Sequence, residues 1–193
     1  MALLGYKNPL YLLPFDHRAT FTKNLLGFGE TLMGEQKKMV RAYKRIVYDA
    51  FVLALSRGVP EDGGAILVDE EYGQEILLDA HKQNFVTCLT VEKSGQEEFV
   101  FEYGDDFRAH IKKINPAFVK ALIRYNPEGD TGINERQRKR LKVLSDFAHK
   151  EGYKFLLEPL VPPTEENLKD LGGDKEKYDR EVRPSLTTKM MME

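Results

Sequence analysis

The sequence predicts an α/β fold built on a parallel sheet, and three features point there. Short apolar runs alternate with longer helical patterns five times. Each run is followed by a helix, the arrangement that right-handed crossovers between parallel strands require. Three of the runs, Leu10–Asp16, Phe118–Arg124 and Phe155–Leu160, end in or enclose a charge that a buried strand normally excludes. In parallel α/β proteins ligands bind at the carboxyl ends of strands, so charge there is read as chemistry.

Leu10–Pro14 is the first predicted strand, followed by a loop over Phe15–Met33 containing Gly27 and Gly29. Gln36–Ser56 is predicted as a helix, with Met39, Tyr43, Ile46, Val47, Ala50, Leu53 and Ala54 recurring at helical spacing. It stops at Arg57-Gly58, with Pro60 beyond. Ala65–Val68 is the second strand and Gln74–Gln83 the second helix. The β-branched run Phe85–Val91 is the third strand, and Asp105–Lys113 a helix ended by Asn115-Pro116. Phe118–Arg124 is the fourth strand, and Asn134 is read as the cap of a helix running to about Lys150, with Gly152 past its end. After the fifth strand, Phe155–Leu160, Pro162-Pro163-Thr164 opens a short helix. Residues 172–193 read as a polar tail leading to a helix at Arg183-Pro184, the start of an incomplete sixth unit of a single domain.

Composition removes several classes of function. Of the 193 residues 41% are hydrophobic and 31% charged, the balance of an ordinary globular domain with a real core. A net charge of −2 gives no general attraction for nucleic acid or an anionic membrane, and no apolar run is long enough to span a bilayer. No cleavable leader pattern is seen, so a cytoplasmic location is expected. Cys88 lies in an apolar run and reads as a small buried hydrophobe. The basic run Arg136–Arg140 falls in a helical pattern and reads as a solvated face. No two histidines have zinc-site spacing, Asp69-Glu70-Glu71 reads as a solvated turn, and neither GxxxxGK[ST] nor GxGxxG occurs. No metal and no cofactor is expected.

Strand parity gathers the charges. Lys120, Leu122 and Arg124 share one face of the fourth strand, and Leu156, Glu158 and Leu160 one face of the fifth. Facing inward on neighbouring strands, Lys120 and Glu158 can meet, and Thr90 and Glu92 share a face of the third strand. A lysine in a low-dielectric interior loses affinity for its proton and can then attack a carbonyl, with carboxylates as acid and base. Read on the residues alone, the same pair equally fits a structural buried ion pair.

The strings LPFDHRATF (13–21), ILVDEEYG (66–73), VEKSGQEEFVFEYGDDF (91–107), FVKALIRYNPEGD (118–130) and FLLEPLVPPT (155–164) carry a resemblance that spans nearly the whole chain. They resemble the aldolase-like barrel domain often fused behind 5-dehydro-2-deoxygluconokinase in inositol catabolism, itself similar to the class I tagatose-1,6-bisphosphate aldolases. The resemblance implies a (β/α)8 TIM barrel and retro-aldol cleavage of a phosphorylated keto-sugar acid. The substrate implied is 2-deoxy-5-keto-gluconate 6-phosphate, giving dihydroxyacetone phosphate and malonate semialdehyde. Asp16, Lys120 and Glu158 match the family's catalytic positions, and His17, Arg18, Asp69, Glu92 and Arg124 are expected to contact substrate.

In the tagatose aldolases the Schiff-base lysine lies on the sixth strand, and a typical barrel takes ~250 residues. The chain is therefore expected to be a C-terminally truncated member with about five β/α units, inactive alone and associating through its open barrel edges, as a homo-oligomer or with a complementary piece. The competing expectation is a non-catalytic ligand-binding or interaction module on an open five-stranded sheet. Strand order separates them: 1-2-3-4-5 for a barrel segment, 2-1-3-4-5 for the open fold.

Overall fold

The computed structural model describes residues 6–29 and 31–193. Five parallel strands form one curled half-barrel sheet: β1 (Tyr11–Pro14), β2 (Gly64–Asp69), β3 (Val86–Thr90), β4 (Phe118–Arg124) and β5 (Lys154–Leu160). Their order is β1-β2-β3-β4-β5, as expected of a barrel segment and not of the open 2-1-3-4-5 arrangement. Four long helices follow the first four strands: α1 (Gly34–Ser56), α2 (Glu70–Lys82), α3 (Phe107–Ile114) and α4 (Thr131–Glu151). After β5 come α5 (Glu165–Asp170), the single turn α6 (Lys175–Lys177), a π-helical turn at Tyr178–Val182 and α7 (Arg183–Met192).

The core lies between the sheet's outer face and the helices. Ile66, Val68, Leu89, Val91, Val119, Ala121 and Ile123 alternate along the strands and pack on Tyr48, Phe51, Leu77, Ile111 and Leu144. Gly73 lets α2 lie against β2, since a Cβ there would come within 2.4 Å of Val68. The opposite, concave face carries Thr90, Lys120 and Leu156 in one row, because the register pairs Thr90 with Lys120 and Lys120 with Leu156. Glu158 is level with Leu122, one step nearer the strand ends.

Several expectations are corrected. The buried face of α1 consists of Val40, Lys44, Tyr48, Phe51 and Leu55, while Met39, Tyr43, Ile46 and Leu53 are exposed. The inner face of this helix includes a charge, Lys44. Helix α2 begins at Glu70 rather than Gln74, since the Asp69 carboxylate accepts from Tyr72 N–H and caps it. Asp69 and Glu70 are accordingly buried rather than part of a solvated turn. The cap of α4 is Asp130, which accepts from Ile133 N–H, while Asn134 lies inside the helix and donates to the Asn126 carbonyl. A π-helical turn, Phe21–Leu25, interrupts the loop predicted after β1. Residues 172–193 are not simply polar: Tyr178, Leu186 and Met190 are buried, and Met190 joins the main core.

The remaining surface signals have structural uses. Arg136 and Arg140 both bind Glu98, whose carboxyl is held down to about 2 by their hydrogen bonds. Cys88 is buried, and burial pushes its thiol up. No helix among the described residues is long and apolar enough to cross a membrane.

Candidate active site

Lys120 is the hub of the concave face. Only 2% exposed, its ammonium lies 2.9 Å from Asp16 Oδ2, 2.9 Å from Glu92 Oε1 and 2.8 Å from Glu158 Oε2. Each partner arrives on a different segment. Asp16 follows β1, where Phe15 N–H still donates to the Leu67 carbonyl and extends the ladder. Glu92 follows β3, and Glu158 reaches diagonally from β5. Thr90 adds a 2.6 Å hydrogen bond to Asp16 Oδ2, the oxygen that Lys120 also contacts.

A cavity of about 190 Å³ opens above this cluster, lined by His17, Arg18, Lys93, Ser94 and Arg124 together with Asp16, Glu92, Lys120 and Glu158. The segment after β3 turns back on itself, with Glu92 bridged to Phe101 and Glu102 N–H donating to the Val91 carbonyl. Arg18 is buried against it, with Nη1 2.7 Å from Glu102 Oε2 and Nη2 2.6 Å from the Glu92 carbonyl. Arg124 donates to the Gln96 carbonyl, which ties β4 to the same segment.

The environment splits the charges. For Lys120, burial favours the neutral amine, but Glu92, Asp16 and Glu158 outweigh it and raise its proton affinity above the ordinary value. Burial alone lowers a lysine, and three carboxylates reverse the sign. For Asp16, burial acts upward, but the Lys120 charge and the hydrogen bonds from Thr90 and Lys120 leave it lowered. Glu92 is raised by burial, despite Lys120. Glu158 is the solvent-facing member, its side chain 48% exposed.

A protein-family model described as "Uncharacterized protein conserved in bacteria (DUF2090)" matches residues 5–183. The chain belongs to this family. No curated protein matches it by sequence. Within this family member, the structure brings seven of the eight residues singled out from sequence around one cavity: Asp16, His17, Arg18, Glu92, Lys120, Arg124 and Glu158.

Asp69 is the exception. It is 1% exposed, paired with Lys44 and engaged as the cap of α2, so it does not line the cavity. Lys44 also donates 2.8 Å to the Phe15 carbonyl, next to Asp16. Lys93, Ser94 and Thr90 were not singled out as site residues. The position of Thr90 was available from strand parity, but the return of the 92–102 segment that brings Lys93 and Ser94 to the cavity rim had no sequence signal. Among the described residues, no group of three or more His, Cys, Asp or Glu side chains is placed to hold a metal ion.

Proposed function

We propose that this chain carries a retro-aldolase site for a phosphorylated keto-sugar acid, the reading that the resemblance implies, on a half-barrel of the TIM-barrel family. The observation that carries it is Lys120 held by three carboxylates at the mouth of a cavity whose rim also bears Arg18, Lys93 and Arg124. Retro-aldol cleavage needs a base for the β-hydroxyl proton, a donor for the carbonyl oxygen, and cations for phosphate and carboxylate groups. Glu158, exposed toward the cavity, suits the base. Lys120, kept as an ammonium, fixes the carboxylates and offsets their mutual repulsion. The exposed Lys93 and the Arg124 guanidinium suit the anionic ends of the substrate.

The expectation of an inactive chain rested on a Schiff-base lysine located elsewhere. The acid–base groups here support a cleavage route that does not pass through an iminium on Lys120. Incubating the purified chain with 2-deoxy-5-keto-gluconate 6-phosphate and measuring triose phosphate release tests the reading. The expected result is release above background that is lost in Lys120→Met. No release by folded wild-type chain would sink it.

A further inference from the structure

Asp16 lies past the last paired residue of β1, Pro14, so bonding rather than strand register must set the direction of its carboxylate. Among the described residues, its side-chain hydrogen bonds both end on one oxygen. Thr90 donates its Oγ1–H to Oδ2 at 2.6 Å, and Lys120 donates to the same Oδ2 at 2.9 Å. Thr90 and Lys120 are register partners on β3 and β4, so the two donors stand side by side on the concave face. With Oδ2 taken twice, the acceptor capacity left to the carboxylate is that of Oδ1.

The two donors differ in what else they serve. An ammonium has three N–H bonds, and Asp16, Glu92 and Glu158 each lie within 2.9 Å of the Lys120 nitrogen. Its hold on Asp16 is therefore shared with two competing carboxylates. The Thr90 hydroxyl has a single proton, and it goes to Asp16. Most side-chain hydrogen bonds go to backbone or water, whereas this one reaches a carboxylate 74 positions away. At 2.6 Å it is of the short, charge-assisted kind. Burial works against the charge on Asp16, and the Lys120 ammonium and the Thr90 hydrogen bond outweigh it. Thr90 itself is 5% exposed and does not line the cavity, while Asp16 does, so any effect on a ligand passes through Asp16.

We propose that Thr90 is a positioning residue of this site: its hydroxyl fixes the Asp16 carboxylate against Lys120 and leaves Oδ1 to accept a hydrogen bond from a substrate hydroxyl. The proposal rests on the retro-aldol reading and gives Asp16 a part in it separate from that of Glu158. A keto-sugar acid carries hydroxyl groups besides the one that loses its proton. An acceptor held still and ionised orients that chain before Glu158 acts. Without the Thr90 hydroxyl, Asp16 keeps only the shared donor and its carboxylate can turn.

The experiment compares Thr90→Val, which keeps the side-chain shape and removes the donor, with Thr90→Ser, which keeps the donor. Both are made in the full chain and shown by circular dichroism to be folded, with Thr90→Ala replacing Thr90→Val if that variant fails to fold. The Asp16 carboxyl carbon is followed by carbon-13 NMR titration, and cleavage of 2-deoxy-5-keto-gluconate 6-phosphate by steady-state kinetics. The Asp16 midpoint should move up in Thr90→Val and hold its place in Thr90→Ser. In Thr90→Val kcat should fall about 10–100-fold with a smaller change in KM, and Thr90→Ser should recover most of it. An Asp16 titration indifferent to loss of the hydroxyl overturns the proposal, whether or not the chain turns over substrate. An unchanged kcat in Thr90→Val, or equal losses in both variants, overturns it while leaving the retro-aldol reading standing. Absence of wild-type turnover defeats that reading, and the titration still decides whether Thr90 holds Asp16.

Discussion

Two buried lysines, bound to successive residues after β1, are treated in opposite ways. Lys44 reaches from α1 to a single carboxylate, Asp69, and to the Phe15 carbonyl, away from the cavity. Lys120 stands on β4 among three carboxylates and lines the cavity. Burial lowers the proton affinity of Lys44 in spite of Asp69, whereas surplus negative charge raises that of Lys120. One carboxylate per lysine is the economy of a structural pair, which ties α1 to the start of α2. Three around one lysine exceed any structural need, and they converge where a ligand has access.

The largest contrast should come from removing each ammonium. Lys120→Met should lower retro-aldol turnover by about 10²–10⁴-fold in steady-state kinetics, as loss of a site's charge organisation does. Lys44→Met should leave kcat nearly unchanged but cost about 3–5 kcal/mol in denaturant unfolding, because Asp69 is left buried and unpaired. Adding Asp69→Asn, which keeps a competent cap for α2, should recover much of that loss. Equal loss of turnover in both lysine variants would erase the distinction.

Alkaline pH sharpens the comparison through its sign. The folded value of Lys44 lies below its ordinary 10.5, so the unfolded chain binds more protons between the two, and this lysine makes stability rise with pH there. The folded value of Lys120 lies above 10.5, so its contribution is complete below 10.5 and lost as pH climbs toward the folded value. Unfolding free energies measured across that range should therefore show Lys44→Met removing a rise and Lys120→Met removing a fall. On the acid side, the lowered Asp16 contributes stability above its ordinary 3.8 that disappears as pH drops through its folded value. Asp16→Asn should flatten that limb.

Glu158→Gln should have the smallest effect on stability. Its half-exposed ion pair is screened, so unfolding should change by less than about 1 kcal/mol while turnover still falls. A large stability loss with intact turnover would move Glu158 to the structural side of the comparison.

The sequence reveals the cavity lysine more readily than the one paired with Asp69. Lys120 and Glu158 interrupt apolar strands, and a two-residue period suffices to put them on one face beside Thr90. Asp16 follows because it closes the first such run. Lys44 sits in a helix where charges are common, and the exposed Met39, Tyr43, Ile46 and Leu53 form a competing stripe at the same spacing. Nothing local to Asp69 shows that α1 delivers a cation to it. The return of residues 92–102, which buries Arg18 on Glu102, depends on contacts across more than 70 positions.

The most direct test of the account is triose phosphate release from 2-deoxy-5-keto-gluconate 6-phosphate, measured side by side for wild-type, Lys120→Met and Lys44→Met chains under conditions where all three are folded. The account predicts turnover by wild type and Lys44→Met and its loss in Lys120→Met. Absence of turnover in wild type, or equal rates in wild type and Lys120→Met, would contradict it.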